Sequence, residues 1–402
     1  MFAEERRKGI LDYLDKHERA SVPFLSNMFG VTKETIRADL RLLASQGGLK
    51  RCHGGAMVIR CGLYRSLISP ASGNFDVLLQ RVQSKKYKRD KKRKNPMSGR
   101  VCILGSFNVD IVAKVKRFPR GGESLLAESS NLGPGGKGSN QATAASRAGA
   151  RVHFVSKVGK DQFSQFACDH LASSAIHSFR LYQSETEPTG NAIIYVSDEN
   201  GENMIAIYPG ANKTITDEEI AEMAAELSES NVLLVQLENN ISAILGAIKL
   251  AKAMGVTIVM NPAPYSQEVV QCLPYIDLVT PNETEASQLS GIEVTDIHSA
   301  KKAALAIVAL GVPQVIITLG SQGALLYQNN QFQLIHAFPA LCIDSTGAGD
   351  AFNGALAAAL ADGRPLLQAA TYACAFASLA VELEGASNMP SHQQAVSRLS
   401  QR

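Results

Sequence analysis

No stretch of the 402 residues approaches the roughly 18 consecutive apolar positions that a membrane-crossing helix needs. An apolar leader is also missing, because Glu4, Glu5, Arg6, Arg7 and Lys8 crowd the start. A cytoplasmic protein is therefore expected, with no membrane partner. Cysteine is sparse: seven residues, at 52, 61, 102, 168, 272, 342 and 374, form no CxxC pair. That odd, scattered set reads as free thiols in a reducing compartment and excludes a disulfide framework. Eight histidines show no metal-ligand spacing, which argues against a zinc enzyme. Internal repeats and low-complexity tracts are absent too, apart from one basic run.

What is present divides in two. Residues 1–100 hold 22 Lys/Arg against 9 Asp/Glu, whereas the other 302 residues carry a net charge of −10. A basic front on an acidic body points to two parts with different partners, the first a polyanion. Residues 1–58 read as three short helices and a β-wing. Ile10, Leu11 and Leu14 lie at helical spacing within Glu4–Lys16. Ser21 is placed to cap Val22–Phe29, Gly30 to stop it, and Thr32 to cap Lys33 to about Ser45. Gly47-Gly48 then break the chain. Residues 59–98 read as a linker ending in the run Lys85–Lys94, whose like charges repel and which buries too little surface to fold alone.

From residue 99 to 402 short apolar strands alternate with helices: Val101–Gly105, Val232–Leu237, Thr257–Met260, Leu278–Thr280 and Val315–Leu319. That alternation predicts an α/β fold with a mostly parallel sheet and flanking helices. Extended stretches at 123–131 and 190–208 predict a small β-element over one sheet edge.

Five motifs in this part carry chemistry. Gly105-Ser-Phe-Asn108-Val-Asp110 ends the first strand, where ligands bind in open α/β sheets. Asn108 and Asp110, two apart, would point to one side of an extended chain and hold neighbouring sugar hydroxyls. Gly133, Gly135 and Gly138 match GxGxxG, but 28 positions after Gly105; a dinucleotide site needs them directly after the strand. Lys137 is followed by Gly, so this is no P-loop either. A glycine turn opening a helix from Ser139, with Asn140 reaching a polyol, is the better reading. Glu238 and Asn261 each follow a strand, where a plain strand-end cap is an equal reading. Asn282 and Glu285, three apart, suit Mg²⁺ carried by ATP phosphates, or equally an N-capped helix. Strongest is Asp344-Ser-Thr346-Gly347-Ala348-Gly349-Asp350, whose glycines free backbone N–H groups at the start of a helix. Such a helix start is an anion site able to take the charge that builds on a transferring phosphoryl group. Asp350 would project into the same spot and accept the proton of an attacking hydroxyl.

Through these motifs residues 100–390 resemble the PfkB/ribokinase family of carbohydrate kinases. The resemblance implies a small β lid at roughly 121–133 and 179–212, containing Ala192 and Ile194. It implies phosphorylation by ATP of a pentose primary hydroxyl, with D-ribose giving D-ribose 5-phosphate. Asp350 would be the base and Gly347, Ala348 and Gly349 the anion hole. Asn108, Asp110, Gly136, Lys137, Asn140 and Glu238 would contact the sugar. Asn261, Thr318, Gly320, Gly323 and Gly349 would lie along ATP, with Asn282 and Glu285 associated with Mg²⁺. Asp344 and Thr346 would form part of a monovalent-cation site for K⁺. Cys374 stands near the adenine where relatives often carry histidine, and the segment Glu382–Asn388 departs from the pattern of the cation site.

Val31-Thr-Lys33-Glu-Thr35-Ile-Arg37 resembles the recognition helix of DeoR-type winged helix-turn-helix regulators. By that resemblance Lys33, Thr35 and Arg37 would face double-stranded DNA while Lys50 and Arg51 touch phosphates. The sugar-phosphate-sensing domain usual in such regulators is missing. Both resembled families commonly pair, so a homodimer is expected. Two other outcomes stay open: deoxyribokinase or another PfkB-type sugar or nucleoside kinase, and a transcription regulator whose kinase fold only senses sugar.

Overall fold

The computed structural model of the chain describes residues 3–17, 19–45, 49–52, 55–58, 99–199 and 201–401. The linker expected at 59–98 lies outside the described residues.

The front of the chain runs α1 (Ala3–His17), β1 (Arg19–Ser21), α2 (Val22–Phe29), α3 (Lys33–Ser45), β2 (Leu49–Cys52) and β3 (Gly55–Val58). Ser21 caps α2 by accepting from the Phe24 amide, and Gly30 ends it at φ 63°, the left-handed conformation that glycine adopts without steric cost. Ile10, Leu14, Leu25, Ile36 and Leu40 form its small core. Arg6 and Arg7 both donate to Asp39, at 2.6 and 2.9 Å, tying α1 to α3. The wing pairs β1-β3-β2; its first strand was not foreseen.

The second part begins with β4 (Arg100–Leu104), β5 (Asn108–Val115), β6 (Ser129–Gly135), α4 (Lys137–Arg147), β7 (Arg151–Val158), α5 (Gln162–Ser173), β8 (Ser178–Gln183), β9 (Asn191–Ser197) and β10 (Asn203–Tyr208). There follow α6 (Asp217–Glu222), α7 (Ala224–Glu229), β11 (Val232–Val235), α8 (Ile241–Ala253), β12 (Thr257–Met260) and β13 (Leu278–Val279). Next come α9 (Glu283–Ser290), α10 (Ile297–Ala309), β14 (Gln314–Thr318), β15 (Ala324–Gln328) and β16 (Gln331–Ile335). Helices α11 (Ala348–Ala361), α12 (Leu366–Ala380) and α13 (His392–Leu399) complete it.

Nine strands form the main sheet in the order β16-β15-β14-β13-β12-β11-β4-β7-β8, parallel from β14 to β8 with two antiparallel strands at one edge. Successive strand residues feed opposite faces. Val101, Ile103, Val232 and Leu234 pack on the side of α4, α11 and α12. Cys102, Leu104, Leu233 and Val235 pack on the side of α8 and α10. The chain moves from β4 toward β8, then returns across β11 to β14, so the order reverses beside β4. A ligand crevice belongs at that reversal, beyond the strand ends.

The lid is a four-stranded sheet, β10-β9-β5-β6. Its bounds correct the expected ones. β5 belongs to the lid, whereas β8 is a strand of the main sheet. Phe179 and Leu181 of β8 are buried in the main core, and a strand with that much apolar surface cannot stay in a solvated flap. Ala192 and Ile194 lie on β9 as expected, paired with Asp110 and Val112. Cys102, Cys272 and Cys342 are free thiols, but the all-thiol reading does not hold for Cys168, which is disulfide-bonded. No helix among the described residues is long and apolar enough to cross a membrane.

Helices α4 and α11 approach so closely that a Cβ on Gly354 would stand 2.5 Å from the Gln141 carbonyl oxygen and from Ala144 Cβ. Their facing positions are small for that reason. Gly354→Ala should therefore destabilise the protein by about 1–3 kcal/mol through overpacking. Denaturant unfolding of the variant checks it; an unchanged midpoint would mean the helices part at no cost.

Candidate active site

Strand β4 runs into Gly105, and α4 starts against it: the Ser139 amide donates to the Ser106 carbonyl at 3.0 Å. A Cβ on Gly138 would lie 2.5 Å from the Gly105 backbone. The literal GxGxxG is thus a close-packing turn between strand end and helix start. Gly136, at φ 89°, opens α4, and a Cβ there would press within 2.9 Å of the Asn108 amide.

Polar side chains converge on this turn. Asn108, buried at the start of β5, accepts from Asn212 Nδ2 at 2.9 Å through its Oδ1. Asp110 lies two residues on, against Gly135. Burial and the neighbouring Glu238 push its carboxyl up to about 6. Glu238 Oε2 accepts from the Lys137 amide at 2.9 Å and also from Ser106 Oγ. Burial opposes the charge of Lys137, but Asp350, Glu238 and Glu285 together outweigh it and raise its pKa, so the ammonium is retained. Asn140 donates from Nδ2 to Asp350 Oδ2 at 3.2 Å, while its buried Oδ1 has no hydrogen-bond partner. A buried acceptor left open is costly unless a ligand donates to it.

Asp350 sits in the first turn of α11, only 6% exposed. Burial raises its pKa, opposed by Lys137 and by amide donors from Gln141 and Asn140. Gly347, at φ 78°, precedes the helix and supplies no side-chain cap. Among the described residues the N–H groups of Gly349 and Asp350 meet no acceptor, and a Cβ on Gly349 would face open space. The helix start therefore presents unpaired donors beside a buried carboxylate, a geometry suited to an anion and an attacking hydroxyl.

Farther along the strand ends the sequence-derived residues behave differently. Asn261 is buried with its amide engaged at both ends, by Gln141 at 3.0 Å and the Thr280 carbonyl at 3.2 Å. Thr318 ends β14, bridged to Asn282. Gly320 and Gly323 flank the following turn; a Cβ on Gly323 would reach 1.9 Å from the Ile335 carbonyl oxygen. Asn282 and Glu285 form a reciprocal capping box at α9, through bonds of 2.8 and 2.9 Å. Asp344 accepts from the Thr346 and Gly385 amides at 2.8 and 2.9 Å. Burial works against its charge, but those bonds prevail and hold the carboxyl below its ordinary range. Gly385 thereby brings the 382–388 segment to Asp344.

Among the described residues no three His, Cys, Asp or Glu side chains converge as a metal cage. Glu285 offers a single carboxylate, which fits a Mg²⁺ held mainly by phosphates and water and not a dedicated protein site. Sequence reasoning missed Gln141, Ser106 and Asn212. Only the adjacency of Gln141 to Asn140 could have signalled the first.

On the front unit, Lys33 and Arg37 are exposed on α3 and Thr35 is half-buried. Arg41, one turn beyond Arg37, is exposed too and was not foreseen. Lys50 and Arg51 lie on β2; their side chains are outside the described residues.

Residues 98–393 match the model of the pfkB family carbohydrate kinases. The chain belongs to that family. Residues 6–60 match the DeoR-like helix-turn-helix domain. The kinase is 37% identical to the ribokinase of Haemophilus influenzae over 295 residues, 73% of this chain and 96% of that one. It is 33% identical to the deoxyribokinase of Salmonella typhimurium over 296 residues, again 73% and 96%. The structure of Arabidopsis thaliana ribokinase complexed with ribose and ATP superposes with a TM-score of 0.68 at 29% identity, covering 75% of this kinase and 99% of that chain.

The raised pKa of Asp110 has a stability consequence. The folded carboxyl binds its proton more tightly than the unfolded one, so its ionisation costs stability as pH rises from 3.8 through about 6. Asp110→Asn should stabilise the kinase at pH 7.5 by on the order of 1–3 kcal/mol, with the gain vanishing below pH 4. Thermal unfolding across pH checks this; a gain independent of pH would contradict it.

Proposed function

We propose that this carbohydrate kinase transfers the γ-phosphoryl group of ATP to the primary hydroxyl of D-ribose, giving D-ribose 5-phosphate and ADP. The observation that carries the reading is the Asp350 carboxylate, buried within one residue of unpaired N–H groups at the α11 start. The sugar lies under the lid against Asn108, Asp110, Gly136, Lys137, Asn140 and Glu238. A sugar hydroxyl donates to the open Asn140 Oδ1, which sets the sugar beside Asp350. Asp350 takes the proton of the primary hydroxyl as its oxygen bonds to the γ-phosphorus. The bond to the β–γ bridging oxygen breaks, and ADP departs with that electron pair. The open N–H groups of Gly349 and Asp350, with Gly347 beside them, receive the equatorial phosphoryl charge; the expected donor Ala348 is instead turned to the Ser345 carbonyl at 3.2 Å, and Lys137 adds a positive charge nearby. The nucleotide runs along Asn261, Thr318, Gly320, Gly323 and Gly349. When bound, Mg²⁺ neutralises phosphate charge, with Glu285 and its capping partner Asn282 as the residues that would hold its hydration shell. Asp344 and Thr346 would hold K⁺, whose charge suits the depressed pKa of Asp344.

Ribose is favoured over deoxyribose by Asn108. Its Oδ1 is already bonded to Asn212, which leaves Nδ2 for a sugar oxygen. A deoxy sugar would leave such a polar group unmatched. The likeness to deoxyribokinase makes deoxyribose the alternative substrate. Two copies pair through the lid, where β10 leaves Met204, Ile205 and Ile207 about half exposed and only a second apolar surface would cover them.

Asp350→Asn should lower turnover by 10³-fold or more, an order of magnitude typical of losing a catalytic base, while ribose still binds. Product formation from a panel of ribose, deoxyribose and nucleosides measures both points. Activity within a few-fold of wild type would reject the assigned base, and faster turnover of deoxyribose would replace the substrate.

A second role is supported by the DeoR-like match and the exposed basic face of α3. The front unit binds double-stranded DNA through Lys33, Thr35 and Arg37, with Lys50 and Arg51 on phosphates. Each phosphate-neutralising residue changed to alanine should reduce the slope of log affinity against log salt by about 1. Gel shift of the full chain over a salt series tests this, and no shift at low salt removes the DNA role.

A further inference from the structure

We propose that Gln141 is a positioning residue for the reaction, holding Asp350 ionised and aimed by a chain of side-chain amides whose direction one backbone carbonyl sets. This rests on the reading of Asp350 as the base. Asn261 Nδ2 donates to the Thr280 carbonyl at 3.2 Å. A carbonyl can only accept, so Asn261 must turn its Oδ1 the other way. That oxygen faces Gln141, which must answer with Nε2, at 3.0 Å. The second hydrogen of the same Nε2 is then directed to Asp350 Oδ1, at 2.9 Å. Gln141 Oε1 is left as an acceptor and is filled by Gln236 Nε2 at 2.6 Å.

Gln141 thus has no remaining freedom to flip. Its hydrogen bonds are complete, and reversing its amide would set oxygen against Asn261 Oδ1 and against the carboxylate. Asn140 supplies a donor to the other Asp350 oxygen, at 3.2 Å. Two fixed donors stabilise the ionised carboxylate against the burial that favours its protonated form. The same network fastens α11 itself: Thr280 Oγ1 meets Asn353 Oδ1, and Asn353 Nδ2 donates to the Gly349 carbonyl at 2.8 Å. Strand ends β11, β12 and β13 are so linked to both the base and the anion-binding turn. Gln141 has no open polar atom for a sugar or nucleotide, which separates it from the binding residues.

The test compares Gln141→Leu and Gln141→Glu with the full-length wild type in steady-state kinetics over pH. Removing the donor should cut kcat by about 10- to 100-fold, the scale of a misplaced reacting group, with the KM for ribose within about threefold. The acid limb of the profile should move to higher pH in the leucine variant and farther in the glutamate variant, where a second carboxylate opposes ionisation of Asp350. A kcat and acid limb matching wild type in both variants would overturn the proposal, as would a rise in KM alone. Should thermal melts show either variant unfolded, Gln141→Met, which keeps the length of the side chain and removes the donor to Asp350, is read on the same scale; an unmoved acid limb there also overturns it. Asp350→Asn, run in parallel, separates the two readings. If it stays active the base itself is misassigned, whereas an inactive Asp350→Asn beside unaffected Gln141 variants rejects only the positioning role.

Discussion

Keeping a carboxylate ionised inside a closed protein is the constraint around which the kinase unit is arranged. Burial alone drives Asp350 toward its neutral form, and a neutral acid cannot take a proton. Compensation comes from two sources of different reach: the amide donors of Gln141 and Asn140 in contact, and the Lys137 charge nearby. Both are carried on α4 and need it to cross α11 at very short distance. The alanine- and glycine-rich sequences of those helices, which contribute little as hydrophobic bulk, are what permit the approach at Gly354.

The same arrangement explains why the glycine-rich turn of α4 is neither a dinucleotide fingerprint nor a phosphate loop. Its glycines let a helix start touch the end of β4, which delivers Asn140 and Gln141 to Asp350 and the Lys137 amide to Glu238. The unfilled acceptor on Asn140 then marks where a hydroxyl-bearing ligand completes the set. In the proposed reaction, sugar binding and support of the base would share one residue, Asn140.

Two carboxylates farther along the strand ends contrast with Asp350. Glu285 and Asp344 are each held by backbone N–H groups, as caps and turn locks, and both stand near the protein surface. They keep loops in place whether or not a cation is present. The cation roles proposed for them would rest on charge and position and not on a preformed cage, in keeping with ions that retain water and phosphate as ligands.

The sequence alone determined the division into a basic front and an acidic α/β body, because charge bias and hydrophobic periodicity are local properties. It also marked Ser21, Gly30 and the GAGD turn, where a residue type answers a backbone need within a few positions. The strands β7, β15 and β16 escaped it, β8 was assigned to the lid, and the membership of β5 in the lid was not visible. Pairing partners lie far apart in the chain, and a strand's sheet is chosen by the surface it buries. Asn282 and Glu285 could be read two ways, and of the two only the capping role shows in the structure, through their reciprocal bonds. Gln141 was silent for a related reason: an amide on a helix carries no signature of its own. Only the tertiary structure, by bringing β11, β12, β13, α4 and α11 to one point, gave that amide a direction to face.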